Sequence, residues 1–311
     1  MQGNANFATN EVGLGSYANL LTGSVTIPIY YAYVRNWSTG VVEAIGATPD
    51  GEQANAGSGF TALSYDGRYV AFLSAATNIT DDNPLGEVQL FLRDRSLQKT
   101  RRLTFPVNGS YQNPLEITST GVQFTGDNRY VLFSSPNREL AQNGEDLPYL
   151  NVFLLDLGTT EVQLASTGSR GQIPDDMSTN AEISADGRYL AFFSRATNLL
   201  DTPQPPAVYV KDRWTGEMLN LSSSLGPLHD FTLPPVAISA DGSTVAFEWR
   251  HAPETPIVGG RTLIYSVELR GATPAPEAVP VPLGRTWLWI GMMILIIGVG
   301  ARRSWAVNSK Y

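Results

Sequence analysis

The chain contains no cysteine and only two histidines, His229 and His251. Disulfides, zinc–thiolate centres and a cysteine nucleophile are therefore excluded, while the redox compartment stays open. Charge is scarce, at 16% of 311 residues, and no stretch before the last thirty residues shows helical periodicity. There is no Gly-x-Ser-x-Gly elbow, no His pair at helical spacing and no phosphate-cradling glycine loop. These absences exclude a serine-hydrolase domain and the common zinc and nucleotide motifs. No basic segment followed by an apolar run opens the chain, so no signal peptide is visible at Met1.

What is present points to an all-β protein. Hydrophobic residues make up 42% of the chain, enough to bury a core, and 29 Gly and 20 Pro punctuate it. Thr, Ser, Val, Tyr and Phe, the residues that suit a pleated surface, are spread throughout. The 29 acids all lie at or before Glu277, whereas Arg285, Arg302, Arg303 and Lys310 follow it. That leaves 17 cations against 29 acids before the tail, a net charge of −12. Such a surface repels nucleic acid and anionic lipid, and both are discounted as partners of the main domain.

The organising feature is a repeat. "SYDGRYVAFLSAATN" (64–78) and "SADGRYLAFFSRATN" (184–198) are identical at 11 of 15 positions and start 120 residues apart. "TGDNRYVLFSSPN" (125–137) and "SADGSTVAFEWRH" (239–251) fit the same template, placing Asp66, Asp127, Asp186 and Asp241 at intervals of 61, 59 and 55. A second phrase interleaves with the first: "YVRNWSTG", "FLRDRSLQ", "FLLDLGTT" and "YVKDRWTG". Its turn residues Asn36, Asp94, Asp156 and Asp212 are 58, 62 and 56 apart. Two motifs sharing one period define an internal repeat. Within it, Asp-Gly favours a tight turn with positive φ. The all-apolar run Tyr69–Leu73 that follows suits a strand covered on both faces. In the second phrase a carboxylate can accept backbone N–H bonds in the turn. Each unit therefore predicts four antiparallel strands: a short one before Asp-Gly, a core strand, the strand before "RD", and an outer strand. Because every unit repeats them, Asp66, Asp94, Asp127, Asp156, Asp186, Asp212 and Asp241 are assigned to turns rather than to chemistry.

Tandem four-stranded all-β units are the sequence sign of a β-propeller. "SADGRYLAFFSRATN" followed by "VYVKDRWTGEMLNLS" resembles the TolB-type (WD40-like) propeller repeat of bacterial cell-envelope proteins, over about Asn6 to Arg270. The match weakens at Asp127, where Asn128 replaces Gly, and at Asp241, where Ser243 replaces Arg. Three blades look complete, starting near Gly59, Gly121 and Asn180. A fourth, from Pro235, shows three strands, and the N-terminus supplies the last two strands of an earlier blade. The chain thus reads as beginning in mid-blade, either as a fragment or as a small ring closed by joining its N-terminal strands to the last blade.

The tail differs in texture. Residues 271–285 are Pro-rich and read as an extended stalk unable to form sheet or helix. Thr286 to Ala301 is uncharged and bounded by Arg285 and Arg302–Arg303; as a helix it spans about 24 Å. It reads as a transmembrane helix over 286–303, with a buried core helix as the alternative, and 304–311 as a cytoplasmic tail. The excess of cations after the span places the propeller outside the cytoplasm. Stalk, apolar helix and Arg pair also resemble the C-terminal exosortase-type sorting signals of Gram-negative bacteria, with Val279, Pro280, Val281 and Pro282 in the place of the proline motif. That resemblance implies a sorting protease as partner and a location in the periplasm or at the cell surface.

A residue that carries function should break the template. "EWRHAPE" (248–254) does so, and Trp249, Arg250 and His251 are candidates to grip a sugar or peptide. Asp81, Asp82 and Asn83 in "TDDNPLGE" supply hard oxygen ligands that could hold Ca²⁺. Against these stand a variant loop and a solvated loop. No cofactor is implied. The expectation is a non-enzymatic binding or scaffolding module for an envelope protein or glycan. The rivals are a glycan lyase or hydrolase with its acids in the propeller channel, and a purely structural surface protein.

Overall fold

The computed structural model describes residues 5–6, 11–16, 31–81, 86, 88–104, 122–137, 140, 150–202, 205–228, 233–251, 262–269 and 279–280. These form five four-stranded antiparallel sheets, each a meander in chain order. Sheet 1 holds β1 (Ala5–Asn6), β2 (Glu11–Ser16), β3 (Tyr31–Asn36) and β4 (Val42–Ala44). Sheet 2 holds β5 (Ser58–Leu63), β6 (Tyr69–Ser74), β7 (Gln89–Asp94) and β8 (Lys99–Arg102). Sheet 3 holds β9 (Gln123–Phe124), β10 (Tyr130–Ser135), β11 (Asn151–Asp156) and β12 (Val162–Leu164). Sheet 4 holds β13 (Ser178–Ile183), β14 (Tyr189–Ser194), β15 (Ala207–Asp212) and β16 (Met218–Asn220). Sheet 5 holds β17 (Val236–Ile238), β18 (Thr244–Arg250), β19 (Thr262–Glu268) and β20 (Val279–Pro280).

Two expectations need correction. Sheet 1 has four strands rather than two, because Ala5–Asn6 and Glu11–Ser16 pair ahead of β3. Sheet 5 also has four, its last strand drawn from the Pro-rich segment expected to form none: Val279 and Pro280 pair with Ser266 and Tyr265. Proline is tolerated there because an outer strand needs hydrogen bonds on one side only. Residues 286–311, which hold the expected membrane helix and tail, lie outside the described residues.

The core explains why the sheets must stack. In sheets 2, 3 and 4 the side chains of each middle strand point alternately to two different clusters. Val70 and Phe72 of β6 join Ala32, Val34 and Ile45 of sheet 1, while Ala71 and Leu73 join Val131 and Phe133 of sheet 3. Likewise Leu190 and Phe192 of β14 pack with Leu132 of sheet 3, and Ala191 and Phe193 with Val245, Phe247 and Trp249 of sheet 5. An aromatic pair crosses the two middle strands at one register in four sheets. Ring centroids are 5.6 Å apart for Phe72–Phe91, 5.8 Å for Phe133–Phe153 and 5.9 Å for both Phe192–Tyr209 and Phe247–Tyr265. Each ring is buried, stabilising its interface by about 1.5–3 kcal/mol. Contacts between sheets run through the first strands: β5 packs on β2 and β3, β9 on β5, β13 on β10 and β11, and β17 on β13 and β14. The first strands therefore form the inner edge.

A clasp fastens the two motifs of one repeat. Ser64 Oγ donates to Asp66 Oδ1 at 2.7 Å, and the same oxygen accepts the Arg68 N–H at 3.0 Å. The Arg68 guanidinium then reaches Asp94 at 2.7 Å, whose other oxygen accepts the Ser96 and Leu97 N–H groups. Arg129–Asp156 (2.9 Å) and Arg188–Asp212 (2.7 Å) repeat the pair, and each arginine lies 4.8 Å from the ring of the tyrosine that follows it. Asn128 adopts φ 58° where sheets 2 and 4 have Gly67 and Gly187 at 70° and 72°; asparagine is among the few side chains that tolerate this region. The turns between first and second strands of neighbouring sheets also touch. The Gly126 N–H donates to the Ala185 carbonyl at 2.7 Å, and the Ala185 N–H to the Ala240 carbonyl at 2.8 Å. Both turn families lie at the same end of the stack, the turn end.

Burial works to raise the Asp212 carboxyl, but Arg188 and the Trp214 and Thr215 N–H groups outweigh it and hold it below its ordinary value. Asp212→Ala is expected to lower stability by about 2–3 kcal/mol in urea unfolding, since it strands two turn N–H groups and a guanidinium. A depressed carboxyl contributes stability above its unfolded value of 3.8 and loses it as pH falls further. The variant should therefore lack that part of the wild-type acid limb.

Candidate functional site

Three residues that break the repeat meet at the inner edge of the turn end. Register aligns Glu182 of β13, paired with Ala191, with Ala62 of β5, paired with Ala71. Gln123 of β9, paired with Leu132, and Ala237 of β17, paired with Ala246, hold the same place in their sheets. Among the described residues, which show this position in sheets 2 to 5, only sheets 3 and 4 make it polar. The Gln123 side chain hydrogen-bonds Glu182, and its Oε1 accepts the Ile183 N–H at 2.8 Å. From sheet 2, Tyr65 approaches closely enough for the Glu182 charge to raise its phenol, after the larger effect of burial. Its counterparts in the matching turns of sheets 3, 4 and 5 are the small residues Gly126, Ala185 and Ala240.

Glu182 is only half-buried, but protein encloses its carboxyl. Desolvation pushes it up to about 7, opposed in part by the Gln123 hydrogen bond. The group is therefore a neutral donor in mildly acidic solution and a carboxylate in mildly basic solution. Hydrogen-bonded to the Gln123 amide, with the Tyr65 phenol close enough to feel its charge, it makes a polar mouth where three sheets converge. Around this mouth, at the same end, the β3–β4 and β15–β16 turns expose Trp37 (60%) and Trp214 (67%), and the β7–β8 turn exposes Leu97 (60%). Arg188 lies 5.0 Å from the Trp214 ring, which fixes that indole as a flat exposed surface.

The residues singled out from sequence are placed differently. Trp249 and Arg250 are adjacent on β18 and so project to opposite faces. Trp249 is 1% exposed and packs edge-on against Phe247, 6.4 Å away, inside the core between sheets 4 and 5. His251 Nε2 and the Tyr265 hydroxyl share a hydrogen bond of 2.5 Å. The three do not converge on a ligand site. Asp81 is exposed, whereas Asp82, Asn83 and His229 lie outside the described residues. Among the described residues no three His, Asp or Glu side chains are grouped to hold a metal ion. Val279 and Pro280 form β20; Val281, Pro282, Arg302 and Arg303 lie outside the described residues. Sequence reasoning missed Glu182, Gln123 and Tyr65, though comparing Ala62 with Glu182 in the two strongest copies carries the signal.

No protein-family model and no curated protein matches the chain. Among solved structures, a prolyl endopeptidase is similar at 14% identity over 92% of this chain and 36% of its own, with a TM-score of 0.51. A protein from Agrobacterium tumefaciens described as a TolB is similar at 12% identity over 89% of this chain and 78% of its own, with a TM-score of 0.50. The β-propeller domain of the trilobed protease from Pyrococcus furiosus aligns over 90% of this chain and 70% of its own at 12% identity, with a TM-score of 0.48. This chain thus spans about a third of the endopeptidase. Stacked four-stranded meanders and the likeness to a TolB together make this a TolB-like β-propeller fold.

Proposed function

We propose that the chain is a non-enzymatic binding or scaffolding module whose turn end meets a protein or glycan of the cell envelope. The observation that carries this reading is the set of non-repeated residues at that end: Tyr65, Gln123 and Glu182 in the mouth, with Trp37 and Trp214 exposed on outer turns of the same end. Indole rings on exposed turns are common anchors for partners. Glycoside hydrolysis by paired acids needs a second carboxyl across from the first. In sheets 2, 3 and 5 the position of Glu182 is held by Ala62, Gln123 and Ala237, none of them an acid, which favours binding over turnover. The apolar run 286–301 and the arginines after it support display outside the cytoplasmic membrane, with the helix as anchor and the sorting signal as a route to the surface.

Cross-linking, binding and turnover test this reading. A photo-crosslinking residue at Trp214 should capture envelope material in cells, and one at Leu233, at the opposite end, should not. Trp37→Ser with Trp214→Ser should weaken binding of the captured species by about tenfold or more. Turnover of an envelope glycan that disappears in Glu182→Gln would overturn the reading. A pH series tests the enclosure of the Glu182 carboxyl. Folded Glu182 holds its proton to about 7 whereas the unfolded side chain ionises near 4.5, so the folded state binds more protons between these values. Wild-type stability should therefore fall as pH rises through that window. Glu182→Gln should remove this slope and raise the melting temperature at pH 8 by at least ~2 °C.

A further inference from the structure

A cleft of about 540 Å³ opens between sheets 2 and 3 on the outer side of the turn end. Tyr69, Leu92, Leu97 and Leu157 form its apolar wall, and Lys99, Arg101 and Arg129 stand along it. The neighbouring clefts explain why this one is open. The residue after the clasp aspartate is an arginine in sheets 2 and 4, and in both it fills the gap towards the preceding sheet. Arg95 donates to the Gly67 carbonyl and pairs at 2.8 Å with Glu43, on the outer strand of sheet 1. Arg213 donates to the Gly187 carbonyl and lies 5.2 Å from the Tyr130 ring of sheet 3. In sheet 3 the same position is Leu157, which packs against the apolar cluster between sheets 2 and 3 but carries no guanidinium to fill the cleft.

The charge opposite is inverted as well. Glu43 pairs with Val34 across sheet 1 at the register where Arg101 pairs with Leu92 across sheet 2. An acid that receives an arginine in the first cleft is thus a cation in the second. Arg101 donates only to the Leu157 carbonyl, at 3.0 Å, and no acid among the described residues pairs with it or with Lys99. Asp94, the acid in the lining, is already held by Arg68, and Arg129 is held by Asp156. A surface with an apolar wall and two uncompensated cations stands out on a domain of net charge −12.

We propose that this cleft is a second binding site, which takes an acidic peptide segment carrying apolar side chains. The partner's carboxylate replaces Glu43 by meeting Arg101 and Lys99, and its apolar side chain covers Leu97 and Leu157 where a guanidinium would otherwise lie. A peptide fits better than an acidic sugar because three of the four wall residues are leucines and Arg68 already covers a face of the fourth, Tyr69, at 4.8 Å. The site is separate from the inner-edge mouth and does not depend on it.

The test uses the full chain and a fluorescent octapeptide of alternating Leu and Glu, followed by anisotropy, with Leu–Gln and Leu–Lys octapeptides and a tetragalacturonate as comparators. The Leu–Glu peptide should bind saturably, and raising salt should weaken it. Leu157→Arg, which restores the residue found in sheets 2 and 4, should fill the cleft and weaken binding by about tenfold or more, as should Arg101→Glu. An unchanged or higher melting temperature for Leu157→Arg would show that the loss is not unfolding, and Glu182→Gln should bind as wild type. The proposal is overturned if the Leu–Glu peptide does not saturate, if Leu–Gln binds equally, if tetragalacturonate binds in its place, or if folded Leu157→Arg retains wild-type affinity.

Discussion

Strands such as β6, β10 and β14 carry apolar side chains on both sides of the pleat, and neither side can be left in water. A lone sheet of this kind has two wet faces. Placing the next sheet against each face buries Val70 and Phe72 in one direction and Ala71 and Leu73 in the other, and the pattern passes from sheet to sheet. This need for mutual cover sets the sheet order, the roughly 60-residue period and the position of the inner edge. β18 shows the converse. Its buried residues alternate strictly with half-buried ones, because sheet 4 covers one face and no described sheet covers the other to the same degree.

Within that stack the repeat divides its labour. The clasp of Arg68, Arg129 and Arg188 on Asp94, Asp156 and Asp212 ties each inner turn to its outer turn, so both families sit at one end with fixed spacing. These pairs are partly exposed, and each is a modest contributor by itself. Their larger effect is geometric. A rigid turn end can carry residues that differ from sheet to sheet without disturbing the core, as Tyr65, Gln123, Glu182, Trp37 and Trp214 do. The same logic accounts for the lateral cleft, where one substitution in a repeated position, Leu157, leaves a gap that its neighbours fill.

Much of the architecture was legible in the sequence because strand and turn signals are local. Asp-Gly followed by an apolar run located β6, β14 and β18, and Asp212 with Gly216 located the end of β15. The two-strand first sheet was misread because Ala5–Asn6 and Glu11–Ser16 lack the Asp-Gly signature. The last strand was misread because a Pro-rich segment argues against sheet unless the strand lies at an edge. Trp249 looked like a ligand anchor because it broke the template, yet alternation along β18 turns it into the core. Glu182 escaped notice for the opposite reason. It lies in the short strand just before the conserved-looking phrase, and its importance depends on three sheets converging, which no local pattern records.

The central claim is that successive sheets lie against one another so closely that their inner turns touch. A Cβ built on Gly126 would lie 3.1 Å from that of Ala185, so the two turns need separate by only about half an ångström to reach the ~3.5–4.5 Å that a disulfide spans. Because the chain has no cysteine of its own, Gly126→Cys with Ala185→Cys introduces a single possible pair. Mild oxidation of the folded double variant should join residues 126 and 185 within one chain, detectable by mass spectrometry of the linked peptides, while the urea-unfolded chain should crosslink far more slowly. Free thiols persisting in the folded protein would contradict the stacking of sheets 3 and 4, and with it the account of the fold.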